Sequence, residues 1–141
     1  MRFWDTSAVV PLCVIEPATG QARQLAEADP ALVVWWGTRI ECVSALARAR
    51  REGRIPAESE TLARRSLVAL RGSWSEVLPS EVVRERAERL LSLHPLRAGD
   101  ALQLASALVW SREQTDARGF VSFDERLRAA AQREGFAVLP A

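Results

Sequence analysis

Apolar positions along the chain repeat with two different periods. The run from Met1 to Trp4 reads as a short strand ending at Asp5, and Val9, Leu12 and Cys13 then recur at helical spacing. Pro11 falls early enough to sit in the first turns of that helix. A second amphipathic helix is predicted after Pro17 to about Ala28; Asp29-Pro30 stops it, because a residue before proline is pushed out of the α region. Leu32 to Trp36 (LVVWW) reads as a fully buried strand. Gly37-Thr38 breaks it, and Ile40, Val43, Leu46 and Ala47 repeat at helical spacing through Arg51. Gly53 to Pro56 turns into a further helix with Leu62, Leu67 and Leu70 inward, ending near Gly72.

Ser75 to Pro79 (SEVLP) predicts a third strand, and Ser80 caps a helix containing Val83, Ala87, Leu90 and Leu91 that halts at His94-Pro95. A helix over Ala98 to Trp110, a strand at Gly119 to Phe123, a short helix at Asp124 to Glu134 and a fifth strand in FAVL complete the pattern. Strands separated by helices imply crossover connections and a parallel sheet covered on both faces. The predicted fold is therefore a three-layer α/β/α sandwich with a central parallel sheet of four to five strands. No repeat or glycine-rich linker divides it, so residues 1–141 are expected to form one domain.

Composition changes this picture in a few places. No apolar run approaches the roughly 20 residues needed to span a bilayer, and the N-terminal stretch lacks the layout of a signal peptide; a soluble, cytoplasmic protein is expected. Cys13 and Cys42 lie among apolar neighbours and read as reduced core thiols. The formal net charge of +1 predicts no nucleic-acid binding by itself, so local charge must carry any such case. The chain contains no lysine, so every basic residue except His94 is arginine.

In open parallel α/β sheets, sites form at the carboxyl ends of the strands, where loops lead into helix N-termini. Asp5 closes the first strand, Glu41 lies one turn into the helix after the second, Asp124 follows the fourth, and Asp100 sits in the first turn of its helix. Each has a structural account taken singly. Thr38-to-Glu41 and Ser122-to-Glu125 fit capping boxes, and Asp100 complements a helix dipole. The joint pattern differs, because the chain has five aspartates and three of them occupy this one edge, while Asp29 and Asp116 read as turn residues. Clustered carboxylates repel one another unless a positive charge joins them. Hard cations such as Mg²⁺ or Mn²⁺ take oxygen ligands and complete their shell with water and phosphate oxygens, which points to phosphate chemistry. Ser7 and Ser122 can add hydroxyl contacts, to a ligating carboxylate or to a water on the ion; as ordinary caps or turn residues they need no such role.

The segments FWDTSAVVPL, TRIECVSAL, PLRAGDALQLASAL and FVSFDERLRAAAQREGF closely resemble PIN-domain proteins, especially the VapC toxins of bacterial VapBC toxin–antitoxin pairs. The match spans nearly the whole chain, with order, spacing and flanking residues in agreement. The resemblance implies a three-layer fold in which Asp5, Glu41, Asp100 and Asp124 bind one or two Mg²⁺ or Mn²⁺ ions, with Ser7 and Ser122 at the family's hydroxyl positions. It further implies cleavage of single-stranded or looped RNA, a homodimer, and inhibition by a cognate antitoxin whose C-terminal segment enters the active-site groove. One departure is visible: Trp35-Trp36-Gly37 replaces the smaller residues often found before the second acid.

On this reading Arg39, Arg97 and Arg126 are candidates for holding the RNA backbone through charge-assisted contacts, and Trp36 for stacking on a base. Arg48, Arg50, Arg51 and Arg54 read as a solvated helix end, His94 as a surface residue, and Trp4, Trp35, Trp74 and Trp110 as core or partner surface. Rival folds fail on composition. A phosphoryl-accepting receiver domain needs a lysine, an aspartyl-phosphate phosphatase needs D-x-D-x-T where this chain has Asp5-Thr6-Ser7-Ala8, and a P-loop needs its glycine-lysine motif. A single histidine beside a proline makes no Ser-His-Asp arrangement. Two alternatives stay open: a nuclease of RNA maturation, and a PIN-like module that binds RNA or protein without cutting.

Overall fold

The computed structural model describes residues 1–141. Five parallel strands form one sheet: β1 (Arg2–Trp4), β2 (Leu32–Trp35), β3 (Ser75–Val77), β4 (Gly119–Val121) and β5 (Ala137–Leu139), in the order β3-β2-β1-β4-β5. Helices α1 (Thr6–Cys13) and α2 (Thr19–Ala28) connect β1 to β2, and α3 (Thr38–Arg51) and α4 (Ala57–Arg71) connect β2 to β3. α5 (Glu81–Leu93), α6 (Ala98–Ser111) and a 3₁₀ turn (Thr115–Ala117) lead to β4, and α7 (Glu125–Arg133) leads to β5.

The central strands β1, β2 and β4 are largely apolar because both of their faces are covered, whereas the edge strands β3 and β5 stay partly exposed. Phe3, Val33, Trp35 and Phe120 point to one face, where they pack with Val83, Leu90, Leu104 and Leu108 of α5 and α6 and Leu127 of α7. Trp4, Leu32, Val34 and Val121 alternate to the other face, against Val9 of α1, Ala22 of α2, Cys42 of α3 and Leu67 of α4. Which helices lie where follows from crossover handedness. The chain steps outward from β1 through β2 to β3 with its helices on one face, then reverses direction past β1 to β4 and β5. A right-handed crossover in the reversed direction must use the opposite face. The reversal leaves a crevice between β1 and β4 at their carboxyl ends, the place where open α/β sheets bind ligands.

Several expectations are corrected. Trp36 lies beyond β2, in the turn that leads into α3, and is 51% exposed while Trp35 fills the core. In α4, Leu67 and Leu70 face the core as expected and Ala63 joins them, whereas Leu62 is exposed. In α3, Ile40 faces solvent and the buried apolar positions are Cys42, Leu46 and Ala49. The His94 side chain is only 6% exposed, because its Nε2 meets Glu134 at 2.7 Å across α5 and α7. No helix is long and apolar enough to cross a membrane.

Candidate active site

At the carboxyl edge of the sheet the strands feed into helix N-termini, and acids occupy them. Asp5 follows β1 and caps α1, its carboxylate accepting the Ser7 N–H at 3.2 Å and the Ser7 hydroxyl at 2.8 Å. Asp124 caps α7 by accepting the Leu127 N–H at 2.8 Å. Asp100, in the first turn of α6, accepts the Arg97 N–H at 3.2 Å. Glu41 departs from the expected capping box. Thr38 is buried inside α3 and does not cap it, and Glu41 Oε2 instead accepts the Thr6 hydroxyl at 2.6 Å. The second expected box is also replaced: Ser122 Oγ accepts the Asp124 N–H at 3.1 Å, and Asp124 itself is the cap.

These four acids line one cleft of about 460 Å³. Glu16 joins them, and Arg48 is the one basic side chain on its wall. None of Asp5, Glu41, Asp100 or Asp124 forms an ion pair, although six other acids do so with arginine, His94 or the terminal amine. Asp5 is 4% exposed, and its burial pushes the carboxyl up to about 7. Hydrogen bonds from Ser7 and the nearby Ser122 hydroxyl pull it back, and the negative charge of Asp124 raises it further. Ser7 also links the first and last acids: its hydroxyl accepts the Phe123 N–H at 2.8 Å and lies 3.4 Å from Ser122 Oγ. Arg128 fixes the same loop by donating to the Ser122 carbonyl at 2.7 Å.

A cleft holding this charge without arginine partners suits a hard cation, and its donors are all oxygens. The carboxylates do not close into a ready-made shell, for no three acidic, histidine or cysteine side chains are grouped tightly around one point. Mg²⁺ commonly binds through one or two carboxylates and keeps water on its other sites, so an open acid-lined cleft fits that mode.

The sequence profile of the PIN domain matches residues 2–133. The chain belongs to the PIN domain family. PIN domains are generally nucleases, and the family generally uses divalent metals. The fold is shared with a structure described as a toxin-antitoxin complex from Klebsiella pneumoniae, at TM-score 0.65 and 19% identity, covering 92% of this chain and 91% of that one. It is shared also with PAE2754 from Pyrobaculum aerophilum, at TM-score 0.64 and 20% identity, covering 97% and 87%. At such identities the likeness is one of fold. No curated protein matches the sequence.

The remaining candidates of this PIN domain divide. Arg97 and Arg126 line a groove that continues from Asp100 and Asp124. Arg39 and Trp36 do not line the acidic cleft. Arg39 lies two residues before Glu41, about 200° round the helix at 3.6 residues per turn, and projects to solvent. Trp36 belongs to a separate hollow with Trp35, Pro79 and Ser80, so the tryptophan pair before the second acid leaves the cleft near Glu41 unobstructed. Arg48, read from sequence as a solvated helix end, shares the cleft face of α3 with Glu41 and Ala45 at i, i+4 and i+7. Three further polar residues line the cleft outside the sequence-derived candidates, Thr6, Glu16 and Gln103. Gln103 had a signal: it is the one long polar side chain within the apolar stretch ALQLASAL.

Proposed function

We propose that this PIN domain is a Mg²⁺- or Mn²⁺-dependent endoribonuclease, the toxin of a type II toxin–antitoxin pair, acting in the cytoplasm as a homodimer with residues 1–141 as one unit. The observation that carries the nuclease reading is the set of four unpaired acids on one sheet edge in a chain otherwise rich in acid–arginine pairs. Divalent ions held by these acids would supply an activated water and neutralise charge at the scissile phosphate. Asp5, Glu41 and Asp100 are the main ligands. Asp124 either coordinates directly or orients the attacking water, and Ser7 and Ser122 hold the Asp5 and Asp124 side of the cleft in place. Arg97 and Arg126 receive the RNA backbone through guanidinium–phosphate hydrogen bonds.

Two observations support the toxin assignment: the sequence resemblance to VapC proteins, and a shared fold with the Klebsiella pneumoniae toxin-antitoxin complex. Exposed apolar side chains on the helices, Leu62 and Val68 on α4 and Val82, Leu91 and Leu93 on α5, offer faces for a second copy or an antitoxin. The test is RNA cleavage by purified protein with Mg²⁺, with Mn²⁺ and with EDTA, the cut ends being mapped by sequencing. Cleavage is expected with either metal and not with EDTA, and Asp5→Asn should abolish it while the protein stays folded. Full activity in Asp5→Asn, or cleavage indifferent to chelation, would sink the assignment.

A further inference from the structure

Gln103 lies on α6 three residues after Asp100 and is 2% exposed. Its amide nitrogen donates to Thr6 Oγ1 at 3.0 Å, to Thr38 Oγ1 at 3.0 Å and to Glu41 Oε2 at 3.1 Å. Two N–H bonds thus serve three acceptors that lie on α1 and α3. Because Thr6 Oγ1 already accepts from Gln103, its own hydrogen is directed to Glu41 Oε2, at 2.6 Å. Glu41 Oε2 is thereby held from two sides. Oε1 makes no hydrogen bond and lies beside the first turn of α6, where a Cβ on Gly99 would come within 3.9 Å of it.

The other end of the amide makes the orientation informative. Gln103 Oε1 is buried and has no hydrogen-bond partner. An orphaned buried acceptor is a loss, and a neutral neighbour would give no reason to keep this arrangement. A flipped amide would set its oxygen against the Glu41 carboxylate, two negative ends face to face. The charge on Glu41 therefore decides which end of the amide points at it, and the loss at Oε1 is tolerated for that contact. No other side chain ties together the helices that begin beside Asp5, Glu41 and Asp100.

We infer that Gln103 is a positioning residue, which fixes Glu41 with one oxygen turned to the cleft and so sets the affinity of the acidic site for a divalent ion. The inference rests on the metal-dependent reading above, and it assigns Gln103 no contact with substrate. Replacement of a group that orients a ligand typically weakens metal binding by about 10–100-fold, and that range is expected here.

The test is calorimetric Mn²⁺ titration of the whole protein, as wild type, Gln103→Met and Thr6→Val, each paired with urea denaturation of the metal-free form. Gln103→Met removes the donors and the orphaned oxygen together but leaves buried Thr38 Oγ1 without its partner, so the metal-free protein should stay folded with a modest loss of stability while its Kd for Mn²⁺ rises roughly 10–100-fold. Thr6→Val removes only one of the two donors to Glu41 and should weaken binding less, which serves if the methionine variant folds poorly. Unchanged Mn²⁺ affinity in Gln103→Met overturns the inference. If wild type binds no Mn²⁺, the nuclease reading fails, and the clamp is then judged without metal by a Gln103→Met/Glu41→Gln double-mutant cycle. Coupling of at least about tenfold in the folding constant upholds the clamp, and additivity refutes it.

Discussion

Replacing Asp5 by asparagine should make the metal-free protein more stable, by an amount that depends on pH. Burial raises the Asp5 carboxyl from 3.8 to about 7, which corresponds to about 4 kcal/mol at ~1.4 kcal/mol for each tenfold change in the proton equilibrium. The sign follows from proton counts. Between pH 4 and 7 the folded state holds a proton that the unfolded state has released, so the wild-type protein loses stability as pH rises through this window and the loss is complete above about 7. Asparagine cannot ionise and escapes it. Asparagine also caps α1 as well as aspartate does, but cannot accept from both the Ser7 N–H and its hydroxyl with one oxygen, a loss of about 1 kcal/mol at every pH. Asp5→Asn should therefore be equal to or slightly less stable than wild type at pH 4.5 and about 1–3 kcal/mol more stable at pH 7.5. Urea titrations in EDTA, followed by the fluorescence of the buried Trp4 and Trp35, measure this difference at each pH, so that other titrating groups cancel. A difference that stays flat from pH 4.5 to 8 refutes the reasoning. Saturating Mn²⁺ should reverse the order, because only the wild-type site is stabilised by binding.

Other perturbations probe separate parts of the structure. Leu104→Ala, at a fully buried position of α6, should cost about 2–5 kcal/mol in urea denaturation, and a loss below 1 would mean that the α5–α6 layer is not the packed core described. Gly37→Ala places a Cβ against the indole of Trp35, which cannot yield without disturbing β2, so a destabilisation of about 1–3 kcal/mol is expected; a neutral result would show the ring free to move. If Arg97 and Arg126 hold phosphates, mutating each to alanine should weaken RNA binding and lower the salt slope of log Kd by about 1 apiece, whereas Arg39→Ala should leave the slope unchanged.

Local periodicity exposed the elements almost completely, including the short β5, because each is apolar on a definite period and ends at proline, glycine or a capping side chain. Asp5, Glu41, Asp100 and Asp124 were legible for a related reason: they sit at a recognisable punctuation, the step from strand to helix. What escaped the sequence was set by contacts between distant segments. His94 looks like a surface residue until Glu134, forty positions away, closes over it. Arg39 and Arg48 both flank the second acid in sequence, yet only the phase of α3 reveals that Arg48 reaches the cleft. Trp36 continues an apolar run, but the sheet stops at Trp35 and leaves it outside. Gln103 could be noticed as a polar break in an apolar helix, while its partners Thr6 and Thr38 could not be guessed, since they lie on α1 and α3.

Capping a helix and holding the proposed metal look like rival accounts of the same acids, but at this edge the two are compatible. Asp100 spends Oδ2 and Asp124 spends Oδ1 on helix N–H groups, and each keeps its second oxygen free of protein partners. The cap fixes the rotamer, so the free oxygen is presented without the entropy cost of ordering it at the moment of binding. Helix N-termini carry partial positive charge, which offsets the mutual repulsion of acids gathered within one cleft. That offset helps the cluster persist with Arg48 as the one cation on the cleft wall, where a full set of arginine partners would occupy the oxygens. Asp5 is the exception, with both oxygens engaged by Ser7 and the carboxylate buried. Burial also opposes its ionisation, so a cation bound beside it would relieve that cost directly.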